Sequence, residues 1–340
     1  MKKAGLSKYI ENFFGDYLSG ECGCSINTIK TYAVTFSQFF RYFKECQLLK
    51  AEKLTLDHLT KESVINFLKW LEDDRKVSVS TRNARLATIH AFCHYLQYQD
   101  VQHISRWQDI LSIRNKKHKV SRIEYLTVDQ IKNLLNMIDV SSSKGRRNLA
   151  LLGLLYDGAL RVQELIDLTP ADYRSGEIPT IRVTGKGNKV RSIPLSAKQA
   201  QNLMSYMREH NLTSPENLSH PLFPNFHGDK LSRMSVLNIL KKYVDKARTQ
   251  GIKMPNRTGC HILRHSKAMH LLEAGVNLVY IRDFLGHESV HTTEIYARVS
   301  DKLKDKALEK ISGETMPAEG NSWNKDPEIL AYLKSLQNQH

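Results

Sequence analysis

The sequence predicts a mostly α-helical protein with a small antiparallel β-sheet, built as a helical first domain followed by a mixed second one. Three observations predict it. Apolar residues recur every three or four positions through the first hundred residues, two alternating segments flank a Gly-Lys-Gly-Asn turn, and helical spacing returns from residue 196 onward. With 340 residues, 41% of them hydrophobic and 25% charged, the chain has the composition of an ordinary folded protein and room for two or three domains.

Ile26, Ile29, Ala33, Phe36, Phe40 and Phe43 step by three and four, the stripe of an amphipathic helix, with Ser25 placed to cap it. Thr60 opens a second helix carrying Val64, Phe67, Leu68 and Leu71. A third, with Leu86, Ile89, Cys93 and Leu96, follows Ser80 and Thr81. Together with a shorter helix over 8–18 these make a four- or five-helix domain, residues 1–107. From 108 to 122 the apolar periodicity lapses, and five basic residues (Arg114, Lys116, Lys117, Lys119, Arg122) stand against one acid, Asp109. That stretch reads as a basic linker. The second domain, 123–311, opens with a capping box, Thr127-x-x-Gln130, ahead of Ile131, Leu134, Leu135 and Ile138. An apolar helix over 149–156 breaks at Gly158, and a short helix covers 161–168. Segments 178–184 and 190–195 alternate as the strands of a hairpin. Helices are predicted over 196–210, 232–249, 261–274, 277–284 and 291–298. Residues 312–340 supply a linker and a last amphipathic helix with Ile329, Leu330, Leu333 and Leu336.

Fifty Lys and Arg against thirty-five Asp and Glu give a net charge of +15, which points to a polyanionic partner, with a membrane surface as the competing reading. No apolar run reaches the ~20 residues of a spanning helix, which excludes an integral membrane protein. Met1-Lys2-Lys3 is followed by Glu11, Asn12 and Asp16 rather than by an apolar segment, so a cytoplasmic protein is expected. The five cysteines, at 22, 24, 46, 93 and 260, are odd in number and lack Cys-x-x-Cys spacing. They fit neither a disulfide scaffold nor a zinc ribbon and read as structural.

Four stretches suit a phosphate. Gly158-Ala159-Leu160-Arg161-Val162-Gln163-Glu164-Leu165 puts an arginine at a helix start after a glycine break, where N–H groups and a guanidinium can converge on one anion. Gly185-Lys186-Gly187 presents a lysine on a hairpin tip. His261-Ile262-Leu263-Arg264-His265 places His261 and Arg264 on one helix face. A zinc pair of His261 and His265 would need a glutamate base beside the first histidine, where Ile262 stands, so no metal is expected. Leu285-Gly286-His287, followed nine residues later by Tyr296, sets a histidine at a turn and a tyrosine on the next helix.

In this order and spacing the four stretches resemble the tyrosine recombinases, the phage-integrase and Xer-like family, whose catalytic domain would cover about 125–300. The preceding helices resemble the family's core-binding, SAM-like domain. Carried over position by position, Arg161, Lys186, His261, Arg264, His287 and Tyr296 match the six active-site positions, and Glu164 and His265 match frequent supporting ones. Ala159 and Val162-Gln163 replace commoner choices around the first arginine. The resemblance implies double-stranded DNA with specific recombination sites as partner, a homodimer on each site and a homotetramer in the synaptic complex, and no cofactor. The basic stretch 108–122 would run along the DNA backbone, and the terminal helix would dock on its own domain or be exchanged between protomers. A mobile element is one expected source of the DNA.

The expected chemistry is cutting and rejoining through a 3′-phosphotyrosine. Arg161 and Arg264 would stabilise the charge that spreads over the phosphate oxygens, without a metal. A phenol with a pKa near 10 needs its proton accepted, a role expected for His261. Lys186 would protonate the leaving 5′-oxygen, and His287 would hydrogen-bond the phosphate. Two alternatives remain: a type IB topoisomerase using the same tyrosine chemistry, and a DNA-binding regulator carrying a relic active site.

Overall fold

The computed structural model describes residues 5–117, 124–256, 258–287, 289, 291–297, 328 and 331. It divides into two compact units, Met1–Ser121 and Arg122–His340.

The first unit is all helix. Helix α1 (Leu6–Asn12) runs on as a π-helical segment, Phe13–Glu21, whose Phe13 is fully buried among Tyr17, Tyr32, Phe36, Phe92 and Tyr95. Helix α2 (Ile26–Cys46) starts where expected, with Ser25 accepting from the Thr28 N–H. Its buried face runs through Thr35, Phe36, Phe39, Tyr42 and Phe43, while Ile26 is 71% exposed. The stripe is therefore rotated relative to the sequence reading, because Phe39 packs edge-on against Phe43 and Phe67 and Thr35 bonds Thr88 across the core. Helices α3 (Lys61–Asp73) and α4 (Val79–Gln99) are capped by Thr60 and Ser78. Helix α4 thus begins before Ser80 and Thr81, which lie inside its first turn.

A fifth helix, α5 (Ile104–Leu111), corrects the linker reading. Trp107, Ile110 and Ile113 are buried in the first unit's core, so residues 108–113 belong to that core. The chain beyond it runs along the same unit. The Arg114 carbonyl accepts from Arg82, Lys116 exchanges backbone hydrogen bonds with the Asn83 amide, and Lys116 Nζ sits 2.7 Å from Glu72. Lys117 is exposed. Lys119 and Arg122 lie outside the described residues.

The second unit opens with α6 (Val128–Asn136), whose Thr127–Gln130 capping box forms as read. Helix α7 (Ser143–Asp157) buries Leu151, Leu152, Leu154 and Leu155 in the main core and packs against α9 (Ala197–Glu209) and α11 (His261–Glu273). Helix α8 (Val162–Asp167) leads to a three-stranded antiparallel sheet in the order β1 (Tyr173–Arg174), β2 (Thr180–Thr184), β3 (Val190–Pro194). The expected hairpin is β2–β3, with Thr184 paired to Val190 and left-handed backbone at Gly187 and Asn188. The two-residue β1 was not foreseen. Helices α10 (Arg233–Thr249), α12 (Leu278–Leu285) and α13 (His291–Ala297) complete the unit close to the predicted bounds. Ala159, Ala268, Met269, Leu272, Ile281, Leu285 and Tyr296 form a separate small core. The predicted linker over 312–327 lies outside the described residues, as does the stripe Ile329, Leu330, Leu333 and Leu336. Among the described residues no helix is long and apolar enough to cross a membrane.

Candidate active site

The site begins where α7 ends. The chain leaves through Gly158 and Ala159, the latter in left-handed backbone with φ 46°, and Arg161 becomes the residue before α8. Glu164 reaches back one turn: its carboxylate accepts from the Arg161 N–H at 2.8 Å and from Arg161 Nη1 at 2.7 Å. From β3, Arg191 donates from Nη1 and Nη2 to the same carboxylate at 3.0 and 2.9 Å. On α11, Arg264 is 3% exposed, donates to the carbonyls of Ala159 and Leu285, and lies 3.9 Å from Glu164. Three guanidiniums thus converge on one buried carboxylate. Burial acts to raise the Glu164 pKa, but the hydrogen bonds and charge of Arg191, then of Arg161, outweigh it and hold the group below its ordinary value. Burial, then the charge of Arg161, lowers Arg264 to about 10, so it stays protonated at neutral pH. The surplus of positive charge suits an anion, and Arg161, with a third of its side chain exposed, offers it donors.

A second strand of geometry reaches the same point from α12. The helix stops at Gly286, in left-handed backbone at φ 66°, where a β-carbon would stand 2.8 Å from Arg191 Nη1. Both the dihedral and the close guanidinium require glycine there. The Gly286 carbonyl accepts from Arg161, and Arg191 Nε donates to the Phe284 carbonyl. His287 follows at once and is pinned by Nδ1 to the Thr293 hydroxyl at 2.9 Å. Helix α13 then delivers Tyr296, 1% exposed, with its ring in the small core and its hydroxyl 2.9 Å from His265 Nδ1. Burial raises the Tyr296 pKa, against the opposing pull of Arg264 and Arg161.

The expected site residues that the structure describes fall into four groups. Arg161, Glu164, Arg264, His265, His287 and Tyr296 are joined by the contacts above or by the pinned turn between α12 and α13. His261 stands one turn before His265 on α11 and is exposed, with ring centres 6.2 Å apart; partial desolvation, then the charges of Arg264, Arg161 and Arg233, lower its pKa. The residue that meets the tyrosine hydroxyl is His265 rather than the expected His261. Lys186 belongs to the tight turn between β2 and β3, and its side chain lies outside what the structure describes. The basic residues Arg114, Lys116 and Lys117 belong to the first unit.

Sequence reading missed Arg191. A signal was present: Arg191 pairs with Val183 and shares a strand face with Ile193, both buried, so strand periodicity turns an arginine toward the core, where a carboxylate partner is required.

The two half-buried histidines predict an acid-sensitive fold. Burial, then neighbouring positive groups, lowers both His265 and His287 to about 4, against 6.5 for an ordinary imidazole. Between those values the unfolded chain binds more protons than the folded one, so stability falls as pH drops from about 6.5 toward 4. Thermal melts at pH 7.5 and 4.5 should show this loss, and the double variant His265→Gln/His287→Gln should lose less over the same interval. An unchanged slope in the double variant would contradict it.

Comparison with known proteins covers both units. Residues 124–302 match the family model for the phage integrase family, and residues 10–100 match the phage integrase N-terminal SAM-like domain. Over 304 residues the chain is 32% identical to tyrosine recombinase XerD of Listeria innocua serovar 6a, covering 88% of this chain and 97% of that protein. Over 300 residues it is 33% identical to tyrosine recombinase XerC of Myxococcus xanthus, covering 87% and 94%. Among solved structures, XerH site-specific recombinase in a post-cleavage complex with palindromic difH substrate shares the fold, with a TM-score of 0.68 at 21% identity over 84% of this chain and 80% of that one. Both units are thus accounted for, and the chain belongs to the phage integrase family, as a site-specific tyrosine recombinase.

Proposed function

We propose that the chain cuts and rejoins double-stranded DNA at specific sites through a 3′-phosphotyrosine on Tyr296. The observation that carries this reading is a buried phenol near Arg264 and Arg161 of the same chain, in surroundings with more positive than negative charge. Arg161 and Arg264 hold the scissile phosphate and stabilise its transition-state charge. His287, fixed by Thr293, hydrogen-bonds the phosphate, and His261 adds a donor at the exposed edge. Lys186, at the hairpin tip, protonates the leaving 5′-oxygen. The bond energy is kept in the phosphotyrosine, so a 5′-hydroxyl from another strand completes the exchange without a cofactor.

The first unit serves as the core-binding domain, and Arg114, Lys116, Lys117, Lys119 and Arg122 follow the DNA backbone. Lys116 is paired with Glu72, and a phosphate displaces that pair readily, since an exposed ion pair is worth only about 0–1 kcal/mol. Two protomers occupy a site and four assemble for exchange, in the cytoplasm where the DNA lies.

The reading is tested with a duplex that the protein selects from a random pool. Two copies on one plasmid should yield recombinant circles. Relaxation of a supercoiled plasmid lacking the sites, with no recombinants, would favour the topoisomerase alternative and overturn it. The role of Lys186 has its own test. Lys186→Ala should slow cleavage by ~10²–10⁴-fold, and a bridging 5′-sulfur, which leaves without a general acid, should restore Lys186→Ala but not Arg161→Ala. Equal rescue of both, or of neither, counts against it.

A further inference from the structure

We propose that Asn83 is a positioning residue for duplex binding: its side-chain amide fastens the backbone at Lys116 to α4, so that Arg114, Lys116 and Lys117 meet the DNA backbone as a preset row rather than as a loose strand. This rests on the duplex being the partner. Asn83 Nδ2 donates to the Lys116 carbonyl at 2.9 Å, and Asn83 Oδ1 accepts from the Lys116 N–H at 3.1 Å. Both ends of one amide thus hold one residue, as a neighbouring strand would. Arg82, 6% exposed, fixes the orientation of that amide by donating to the same Oδ1 at 3.0 Å.

The fastening runs along the whole segment. His90 Nε2 donates to the Ile110 carbonyl at 3.1 Å, Lys61 Nζ to the Ser112 hydroxyl at 2.9 Å, and Arg82 to the Arg114 carbonyl at 3.4 Å. From 110 to 116 every second residue is therefore tied to α3 or α4. Packing does not require the last of these ties. Ile113 is the last residue of the first unit's core, and Arg114, Asn115, Lys116 and Lys117 are all exposed. Asn83 thus holds a backbone that the core does not need, and leaves its cationic side chains at the surface. Lys116 Nζ is itself preset, 2.7 Å from Glu72 on α3. A loose basic segment would lose its conformational freedom only on meeting the phosphates, which lowers affinity. Here the backbone of the row is ordered by folding, before the duplex arrives.

The test uses the full chain and the duplex selected from the random pool. The proteins are wild type, Asn83→Ala, Asn83→Ser, the triple variant Arg114→Gln/Lys116→Gln/Lys117→Gln, and that triple variant with Asn83→Ala added. In Asn83→Ala, brief trypsin treatment should cut after Arg114, Lys116 and Lys117 about tenfold faster than in wild type, with Tm lowered by no more than about 2–4 °C. Duplex affinity should fall by about 5–30-fold, the equivalent of ordering one residue's backbone. The slope of log affinity against log salt should stay at the wild-type value, because the same phosphates are met once the segment is ordered. The triple variant should bind more weakly with a slope shallower by roughly 2–3. Adding Asn83→Ala to it should cause no further loss, since Asn83 acts through the row. Should Asn83→Ala fail to fold, Asn83→Ser, which cannot make both bonds, carries the measurement. Unchanged trypsin cutting, unchanged affinity, or the same loss from Asn83→Ala in the triple background would each overturn the proposal. So would an affinity loss that follows a Tm fall beyond about 4 °C in both Asn83 variants. A wild type that selects no duplex would overturn the functional reading itself, and this proposal with it.

Discussion

Tyr296→Phe should abolish the covalent protein–DNA adduct while leaving the fold and duplex binding in place. The substitution removes one oxygen from a ring that is 1% exposed and packed with Ala159, Met269, Leu272 and Leu285. Its structural cost is one hydrogen bond to His265, about 1 kcal/mol. Its chemical cost is the nucleophile itself, which no neighbour replaces at that place, so adduct formation should drop by ~10⁴-fold or more. A melting temperature lowered by no more than about 2–4 °C, with equal gel-shift affinities for the two proteins, would show that the loss is chemical. The other tyrosine close in sequence, Tyr280 on α12, is 71% exposed, and an adduct persisting in Tyr296→Phe would point there.

Glu164→Ala should cost the most stability of any single change in the site. Its carboxylate receives Arg161 and Arg191 and lies beside Arg264, with the side chain only 5% exposed. Removal leaves three guanidiniums facing one another with no counter-charge, and breaking a buried pair in this way costs about 3–5 kcal/mol. Against a typical total of about 5–15 kcal/mol this is a large share, and in a unit of this size it lowers Tm by on the order of 10 °C. Cleavage should fail as well, because Arg161 and Arg264 lose the group that aims them. Glu164→Gln keeps the shape and one acceptor and should lie between the two. A Tm change under about 2 °C for Glu164→Ala, read by calorimetry, would mean that the carboxylate does not organise the arginines.

Much of the fold was legible because its signals are local. Ser25, Thr60 and Thr127 cap helices from within one turn, and Gly187-Asn188 turns the hairpin with backbone the neighbours cannot influence. Helix α5 was missed because its buried residues, Trp107 and Ile110, show their pattern only against α4, and the basic run after them masks it. The active-site positions were legible through motif order, but their contacts were not. The pairing of Arg191 with Glu164 spans 27 positions, and that of His265 with Tyr296 spans 31. Such partners are chosen by how β3, α11 and α13 pack, which no single motif records. Ala159 carries the same lesson: its left-handed backbone exposes the carbonyl that Arg264 binds, a strain invisible until that contact is seen.

The most direct test of the central claim is to identify the residue that carries the DNA. Wild-type protein trapped on a nicked duplex is digested with nuclease and trypsin, and the nucleotide-bearing peptide is sequenced by mass spectrometry. Cleavage after Arg282 and Arg298 gives a peptide in which Tyr296 is the one tyrosine, whereas Tyr280 falls in the peptide before it. The predicted result is a nucleotide on Tyr296 in the peptide 283–298. A nucleotide on Tyr280, or on any peptide other than 283–298, would contradict it.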